Sequence, residues 1–285
     1  MPLWFRFFSR WPLWALHALG QIGGWLAWLL SPIYRRRFLD NAREAGLGAS
    51  SVWPAIGQAG AMSMELPRLW AGAPVPVHWA RDQAAVHAYA SGQGVLFLTP
   101  HLGCFEVTAQ ALAERFGAAH GPLTVLYRPA RQAWLAQLMA TARNRPALSA
   151  VPTTLAGVRQ MIKALRAGQA VGLLPDQVPP DGQGVWVPYF GRTAYTMTLA
   201  ARLAQQTGCA VVLTWCERLP GAQGFAIRYR ALPQPLPDSG EEASAALVNQ
   251  AMEWVIGHCP DQYLWGYNRY KQPRRVEASA GEAKA

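Results

Sequence analysis

A strand-like apolar run and the start of a helix meet in GVLFLTPHLGCFEV, residues 94–107. Its first part, Val95–Leu98, is β-branched and aromatic, which predicts a buried β-strand. A Thr-Pro pair ends the run, and the residues from Val107 onward have the pattern of a helix. If His101 and Glu106 cooperate, His101 lies in the turn and Glu106 in the first helical turn, because five residues on a regular helix place two side chains about 140° apart.

This histidine and this carboxylate are the residue types of a general-base pair. An imidazole, with an unperturbed pKa of about 6.5, can accept a hydroxyl proton near neutral pH. A carboxylate bonded to its other nitrogen fixes the tautomer, so we expect Glu106 to hold His101. Gly103 would let a substrate approach the backbone closely, and N–H groups at the helix start can face an anion. The alternative is a structural histidine beside a solvated glutamate, since an isolated H-x4-E pattern is short and common.

The composition favours lipid or an acidic protein as partner and disfavours nucleic acid. The chain has 285 residues, 51% hydrophobic and only 15% charged, with 13 tryptophans and a net charge of +10. Tryptophan favours membrane interfaces, and a basic excess in so apolar a chain suits anionic lipid. No zinc finger or RNP-like motif is present. The four cysteines are widely spaced and suggest neither a zinc site nor a disulfide framework, which fits a reducing cytosol.

An uncharged stretch near the amino terminus predicts membrane association. Residues 11–32 contain no charged side chain and are followed by three consecutive arginines. Their length is near the ~20 residues that span hydrocarbon, but internal glycines and polar residues leave an interfacial helix equally open, with a buried soluble helix as the third alternative. A cleaved signal peptide is disfavoured because no small-residue cleavage site follows. We therefore divide the chain into an anchor or interfacial helix (1–37), an α/β domain (38–273) and a polar, disordered tail (274–285).

The remaining pattern is β-α-β-α-β-loop-α-β-β, which predicts an α/β fold with a mixed central β-sheet flanked by helices. Polar residues follow successive strands: Arg128 follows the second and Asp176-Gln177 the third. Open sheets bind ligands at such strand ends. Taken alone, Arg128 also fits a surface charge, and Arg143, at the end of a predicted helix, also fits compensation of the helix dipole. The chain lacks G-x-S-x-G, a Walker loop, a G-x-G-x-x-G after a strand and H-E-x-x-H, so we expect no cofactor and no metal.

Five stretches together resemble the bacterial lipid A late acyltransferases, the lauroyl and myristoyl transferases of the wider lysophospholipid acyltransferase group. In chain order they are TPHLGCFE, LYRP, GLLPDQ, VPYFGRTAYTMTLAARLAQQTGCAVV and PDQYLWGYNRYK. With the amino-terminal apolar helix, the likeness covers nearly all of residues 1–273. Each stretch is unspecific alone, but their common order and spacing are specific.

The resemblance implies roles for individual residues. His101 matches the base of the family's H-x4-[DE] motif and Glu106 its acidic partner. Arg128 and Arg143 match arginines that would hold phosphate, and Asp176 would orient an arginine or a sugar hydroxyl. Many members have Asn-Trp where this chain has Cys-Phe, so an amide donor beside the site is missing. The residues expected to contact substrate are Gly103, Cys104, Tyr127, Arg128, Arg143, Asp176 and Gln177.

The family also implies substrates and a location. The acyl donor would be an acyl carrier protein thioester, and the acceptor a hydroxyl of a lipid A precursor or another phosphorylated lipid. The protein would act at the cytoplasmic face of the bacterial inner membrane, in contact with anionic lipids. Competing hypotheses are an acyltransferase for a lysophospholipid or an aminoacyl lipid, a non-catalytic basic protein of the membrane surface, and a hydrolase that transfers the acyl group to water.

Overall fold

A seven-stranded mixed sheet forms the centre of the protein. The structure, a computed structural model, describes residues 2–80, 83–127, 132, 136, 138–139, 145–237 and 240–274. The strands in spatial order are β1 (Val77–Trp79), β9 (Phe225–Ala231), β8 (Ala210–Arg218), β2 (Val95–Leu98), β5 (Ala170–Leu173), β3 (Leu123–Tyr127) and β4 (Leu148–Pro152). All neighbouring pairs are parallel except β8 and β9. The expected mixed α/β sheet is confirmed.

Helices cover both faces of this sheet. They are α1 (Leu3–Phe8), α2 (Leu13–Leu30), α3 (Pro32–Glu44), α4 (Ala49–Val52), α5 (Pro54–Ala71), α6 (Ala84–Ala90), α7 (Phe105–His120), α8 (Leu155–Arg166), α9 (Leu199–Thr207) and α10 (Glu241–His258). Leu96 and Leu98 of β2 pack in one core with α8, α9 and α10, whereas Val95 and Phe97 pack in the other with α6 and α7. The central strand is apolar throughout because both of its faces are buried.

The amino-terminal helix α2 is docked on the protein along one side. Gly20 and Gly24 lie against the backbone of α5 near Ile56, Gly60 and Ala61, so closely that a Cβ on either glycine would overlap main-chain atoms. The opposite side carries exposed apolar side chains, among them Trp14, Ile22, Trp25, Leu26 and Leu29. Among the described residues, α2 is the one helix long and apolar enough to cross a membrane, and 28% of its residues are buried within the protein.

A hairpin replaces much of the polar loop expected after the third strand of the sequence pattern. It consists of β6 (Gly184–Tyr189) and β7 (Arg192–Met197). Both turn residues, Phe190 and Gly191, have positive φ, as a two-residue hairpin turn of type I′ requires. Phenylalanine rarely takes this conformation, which is why the sequence did not signal the turn; here its N–H donates to Glu253 Oε1 at 2.7 Å. The predicted helix that ends near Arg143 lies mostly outside the described residues, and the tail after 274 lies wholly outside them.

Candidate active site

Parallel pairing of β2 with β5 brings His101 and Asp176 together. Leu98 and Leu173 are paired across the two strands, and each polar residue follows its strand end by three positions. The His101 Nδ1 atom lies 2.7 Å from Asp176 Oδ1, and the main-chain N–H of His101 donates to Asp176 Oδ2 at 2.9 Å. One carboxylate therefore fixes both the ring and the backbone of the histidine.

The Asp176 carboxylate is suited to remain charged at this position. The residue is 1% exposed. Burial by itself would raise the pKa of Asp176, but attraction to the His101 ring, the two hydrogen bonds from His101 and the charge of Arg269 together hold this pKa below its ordinary value. An ionised carboxylate can only accept hydrogen bonds, so Nδ1 carries the proton. In the neutral ring this leaves the lone pair on Nε2, where a general base needs it, and the His101 side chain is 19% exposed.

Glu106 occupies the first turn of α7, as expected, but it does not hold the His101 ring. Its Oε2 accepts a hydrogen bond from Trp70 Nε1 at 3.3 Å. Among the described residues, Asp176 is the one that accepts a hydrogen bond from the His101 ring. The expectation that Glu106 fixes the imidazole is therefore corrected: the partner comes from the neighbouring parallel strand, which local spacing in the sequence does not reveal.

The turn between β2 and α7 is bound to the surrounding backbone on both sides. Gly103 has φ +57°, and its N–H donates to Gln262 O at 3.0 Å. The N–H of Cys104 donates to Cys216 O at 2.9 Å, and a Cβ on Gly103 would overlap that same carbonyl. Close packing on β8 is thus a sufficient structural reason for the glycine. The N–H groups of Gly103 and Cys104 are already used, whereas that of Phe105 donates to no described group.

The other residues expected to contact substrate differ in burial and in their distance along the chain from the His101–Asp176 pair. The thiol of Cys104 is buried in the core, where burial and the nearby charge of Glu65 raise its pKa well above the ordinary value. Tyr127 ends β3, the strand beside β5, and is half-buried. Gln177 directly follows Asp176 and is half-buried as well. Arg128 and Arg143 lie outside the described residues.

A buried ionic network under the turn was missed by the sequence analysis. Arg218, at the end of β8, bonds both carboxylate oxygens of Glu65 in α5, at 2.8 and 2.6 Å, and donates to Gly103 O at 3.3 Å. The ring of His17 in α2 lies 2.9 Å from Glu65 Oε2. Burial alone would raise the pKa of Glu65, but Arg218 and His17 lower it to about 2. The available signal was the presence of charged residues in two otherwise apolar segments: Glu65 within AMSMEL, and Arg218 at the end of VVLTWCER.

Comparisons with known proteins agree on one family. The family model for bacterial lipid A biosynthesis acyltransferases matches residues 80–272. A lipid A biosynthesis lauroyltransferase of Escherichia coli (strain K12) is 30% identical over 179 residues, which is 62% of this chain and 55% of the relative. A palmitoleoyltransferase of the same strain is 24% identical over 185 residues, 65% of this chain and 58% of the relative.

The chain therefore spans little more than half the length of the curated relatives that it matches. The family match itself covers more than half of the chain and includes the strand ends that carry His101 and Asp176. The chain belongs to the bacterial lipid A biosynthesis acyltransferase family.

Proposed function

We propose that this protein transfers a fatty acyl chain from an acyl carrier protein thioester to a hydroxyl group of a lipid A precursor. The observation that carries the proposal is the His101–Asp176 pair at the carboxyl edge of the parallel strands, with Nε2 of the imidazole not bonded to any described residue. The family and its named relatives support a lipid A precursor as the acceptor.

In the proposed mechanism, His101 Nε2 takes the proton of the acceptor hydroxyl while Asp176 stabilises the resulting imidazolium. The hydroxyl oxygen attacks the thioester carbonyl and forms a tetrahedral oxyanion. When this intermediate collapses, the carbon–sulfur bond breaks and the imidazolium returns its proton to the departing thiolate. The products are an ester and a free carrier thiol, so no nucleophile from the protein is needed.

Two further groups have proposed roles beside the base. Glu106 lies on the first turn of α7 and accepts a hydrogen bond from Trp70 of α5. Its carboxylate would also bind the lipid substrate that receives the acyl chain, and would position the reacting hydroxyl. The main-chain N–H of Phe105 is a donor at the start of the same helix and would stabilise the oxyanion. Arg128 and Arg143 keep their proposed role as phosphate ligands on the acceptor.

The partners and location are proposed from charge and surface. A net charge of +10 suits an acidic carrier protein through electrostatic steering. The exposed apolar side of α2 suits contact with the inner membrane. All four cysteines are free thiols, which fits the reducing environment at the cytoplasmic face of that membrane.

The test is acyl transfer by the purified protein from an acyl carrier protein to a phosphorylated lipid A precursor, with products identified by mass spectrometry. The wild type should add one acyl mass to the acceptor, and His101→Ala should lower the rate by about 10²–10⁴-fold. His87→Ala, which changes a histidine on the exposed side of α6, is the matched control and should keep full activity. Free fatty acid as the main product, transfer only to lysophospholipid or aminoacyl lipid, or full activity of a folded His101→Ala variant would refute the proposal.

A further inference from the structure

Three arginines converge on a cavity that is separate from the His101–Asp176 pair. The cavity has a volume of about 470 Å³ and lies between α1 and the carboxyl end of α5. Its lining contains Arg6, Arg10 and Arg68, with Ser9 and the short residues that follow α5. We call it the arginine cavity. It contains no carboxylate among its lining residues.

The three guanidinium groups of the arginine cavity have no partner within the described part of the protein. None of them makes an ion pair or a side-chain hydrogen bond with a described residue, and Arg68 Nε is a buried donor without an acceptor. Arg6 and Arg68 lie in the last turns of α1 and α5, where a cation offsets the helix dipole. Arg10 lies outside both helices, so the helix dipoles do not explain its position beside the other two arginines. Three like charges around one cavity repel each other, and a bound anion would relieve that repulsion.

Exposed apolar side chains of α1, and of α2 that follows it in the chain, indicate the source of that anion. Leu3, Trp4 and Phe7 of α1 and Trp14 of α2 are each more than half exposed, from 52% to 83%. Exposed tryptophans next to arginines are typical of surfaces that enter the headgroup level of a bilayer, where indole rings and guanidinium groups both bind favourably. Arginine is also the side chain whose planar fork fits phosphate oxygens best.

We propose that the arginine cavity binds the phosphate group of an anionic phospholipid in the membrane while the aromatic side chains of α1 and α2 enter the lipid. The ligand is a phosphodiester headgroup, held by Arg6, Arg10 and Arg68. This site lies in the amino-terminal segment, outside residues 80–272 that the family model matches.

The position of the arginine cavity connects it to the candidate active site. Phe5 of α1 is buried and packs on Trp70, with ring centroids 6.1 Å apart, and Trp70 donates to Glu106. A bound membrane lipid would therefore place the opening of the active site close to the surface that presents a lipid acceptor. This last consequence rests on the proposed function; the binding of the headgroup does not.

The test is sedimentation of the full chain with vesicles of phosphatidylcholine that contain about 30% phosphatidylglycerol. Arg6→Gln/Arg10→Gln/Arg68→Gln is compared with Arg159→Gln/Lys163→Gln/Arg166→Gln, which removes three exposed cations from α8. Both triple variants lower the net charge from +10 to +7. At about 1 kcal/mol for each arginine near an anionic surface, the cavity variant should bind about 100-fold more weakly, and the α8 variant should lose less than threefold. Equal losses in the two variants would mean diffuse charge attraction and would overturn the proposal.

Three controls distinguish lipid binding at the arginine cavity from misfolding of the variant, from a site for free phosphate and from a site for the acyl acceptor. Arg6→Gln/Arg10→Gln changes only exposed side chains, so it should fold normally and bind the vesicles about 25-fold more weakly. Inorganic phosphate should bind the wild type far more weakly than the vesicles do; equal affinity would indicate a site for a free anion and refute the lipid site. Acyl transfer to a detergent-solubilised acceptor should be unchanged in the double variant, and its loss would assign the cavity to the acceptor instead.

Discussion

The carboxylate of Asp176 holds His101 at two atoms, one in the ring and one in the backbone. The hydrogen bond from Nδ1 sets the tautomer of the ring, and the hydrogen bond from the main-chain N–H fixes the backbone position of His101. The direction of Nε2 therefore depends on the side chain of Asp176. Because Asp176 is buried and its pKa is lowered, this support persists across the neutral and mildly acidic pH range. The proposed base is thus oriented before any substrate binds.

The turn that carries His101 gives a prediction about a single glycine. Gly103→Ala should destabilise the protein by about 2 kcal/mol more than Gly182→Ala, measured by chemical unfolding. Both glycines have positive φ, but an added Cβ overlaps the Cys216 carbonyl at Gly103 and meets nothing at Gly182. Equal effects of the two substitutions would mean that the close approach to β8 does not constrain the turn.

At the same scale, the sequence indicated where these side chains lie but assigned one partner wrongly. The imidazole, the first-turn carboxylate of α7 and the aspartate after the third strand of the pattern all lie where their motifs indicated. The partnership of His101 with Asp176 depends on β2 and β5 being neighbours, and strand order is not encoded in local spacing. The buried Arg218–Glu65 pair was overlooked because its members lie 153 positions apart.

At the scale of elements, the packing of α2 on α5 gives two opposite expectations for adjacent glycines. Gly24→Ala should destabilise the protein, because its Cβ would overlap the Ile56 carbonyl of α5. Gly23→Ala should stabilise it by about 0.5–1 kcal/mol, because alanine favours the helix and this position has open space around it. Thermal unfolding of both variants in detergent measures the difference. Stabilisation by both would show that α2 does not dock on α5.

The ionic network that joins α2, α5 and β8 should make the free energy of unfolding decrease at acidic pH. Glu65 has a lowered pKa of about 2, so its charge stabilises the fold above its ordinary pKa near 4.5, and this stabilisation is lost as the pH falls from 4.5 toward 2. The shift corresponds to about 3 kcal/mol. Glu65→Gln should lose about that much free energy of unfolding at pH 7 and should show a flatter dependence below pH 4.5.

Glu241→Gln is the control for this prediction, because Glu241 pairs with Arg202 at an exposed site. Exposed pairs contribute little, so this variant should keep the acid dependence of the wild type. Urea unfolding at several pH values between 7 and 3 compares the three proteins. An unchanged acid profile for Glu65→Gln would mean that the network does not stabilise the fold.

Elements with regular patterns were predictable, and the exceptions have physical causes. The strands β2, β3, β5, β8 and β9 correspond to the five strands of the sequence pattern, and the last two of them form the antiparallel pair. The β6–β7 hairpin was missed because its turn places phenylalanine at positive φ, a conformation that the sequence rules reserve for glycine and asparagine. Contacts with α10, such as that of Glu253, hold this turn and are not visible locally.

At the scale of the whole molecule, the net charge predicts how the donor is captured. If an acidic carrier protein delivers the acyl chain, raising the salt concentration from 50 to 500 mM should raise the KM for the carrier-bound donor severalfold. The kcat should change little, because electrostatic steering acts on the association of the carrier and not on the chemical step. A small-molecule thioester with the same acyl chain is the control, and an equal salt effect on its KM would argue against carrier steering.

The partnership of His101 with Asp176 is tested most directly by the tautomer of His101 in the whole protein, read by ¹⁵N NMR of histidine-labelled samples. The chain has 6 histidines, and His101→Gln identifies the signal of interest. We expect a proton on Nδ1 in the wild type at neutral pH, unchanged in Glu106→Gln and lost or redistributed in Asp176→Asn. A ring that responds to Glu106→Gln and ignores Asp176→Asn would contradict the assignment of Asp176 as the partner of the base.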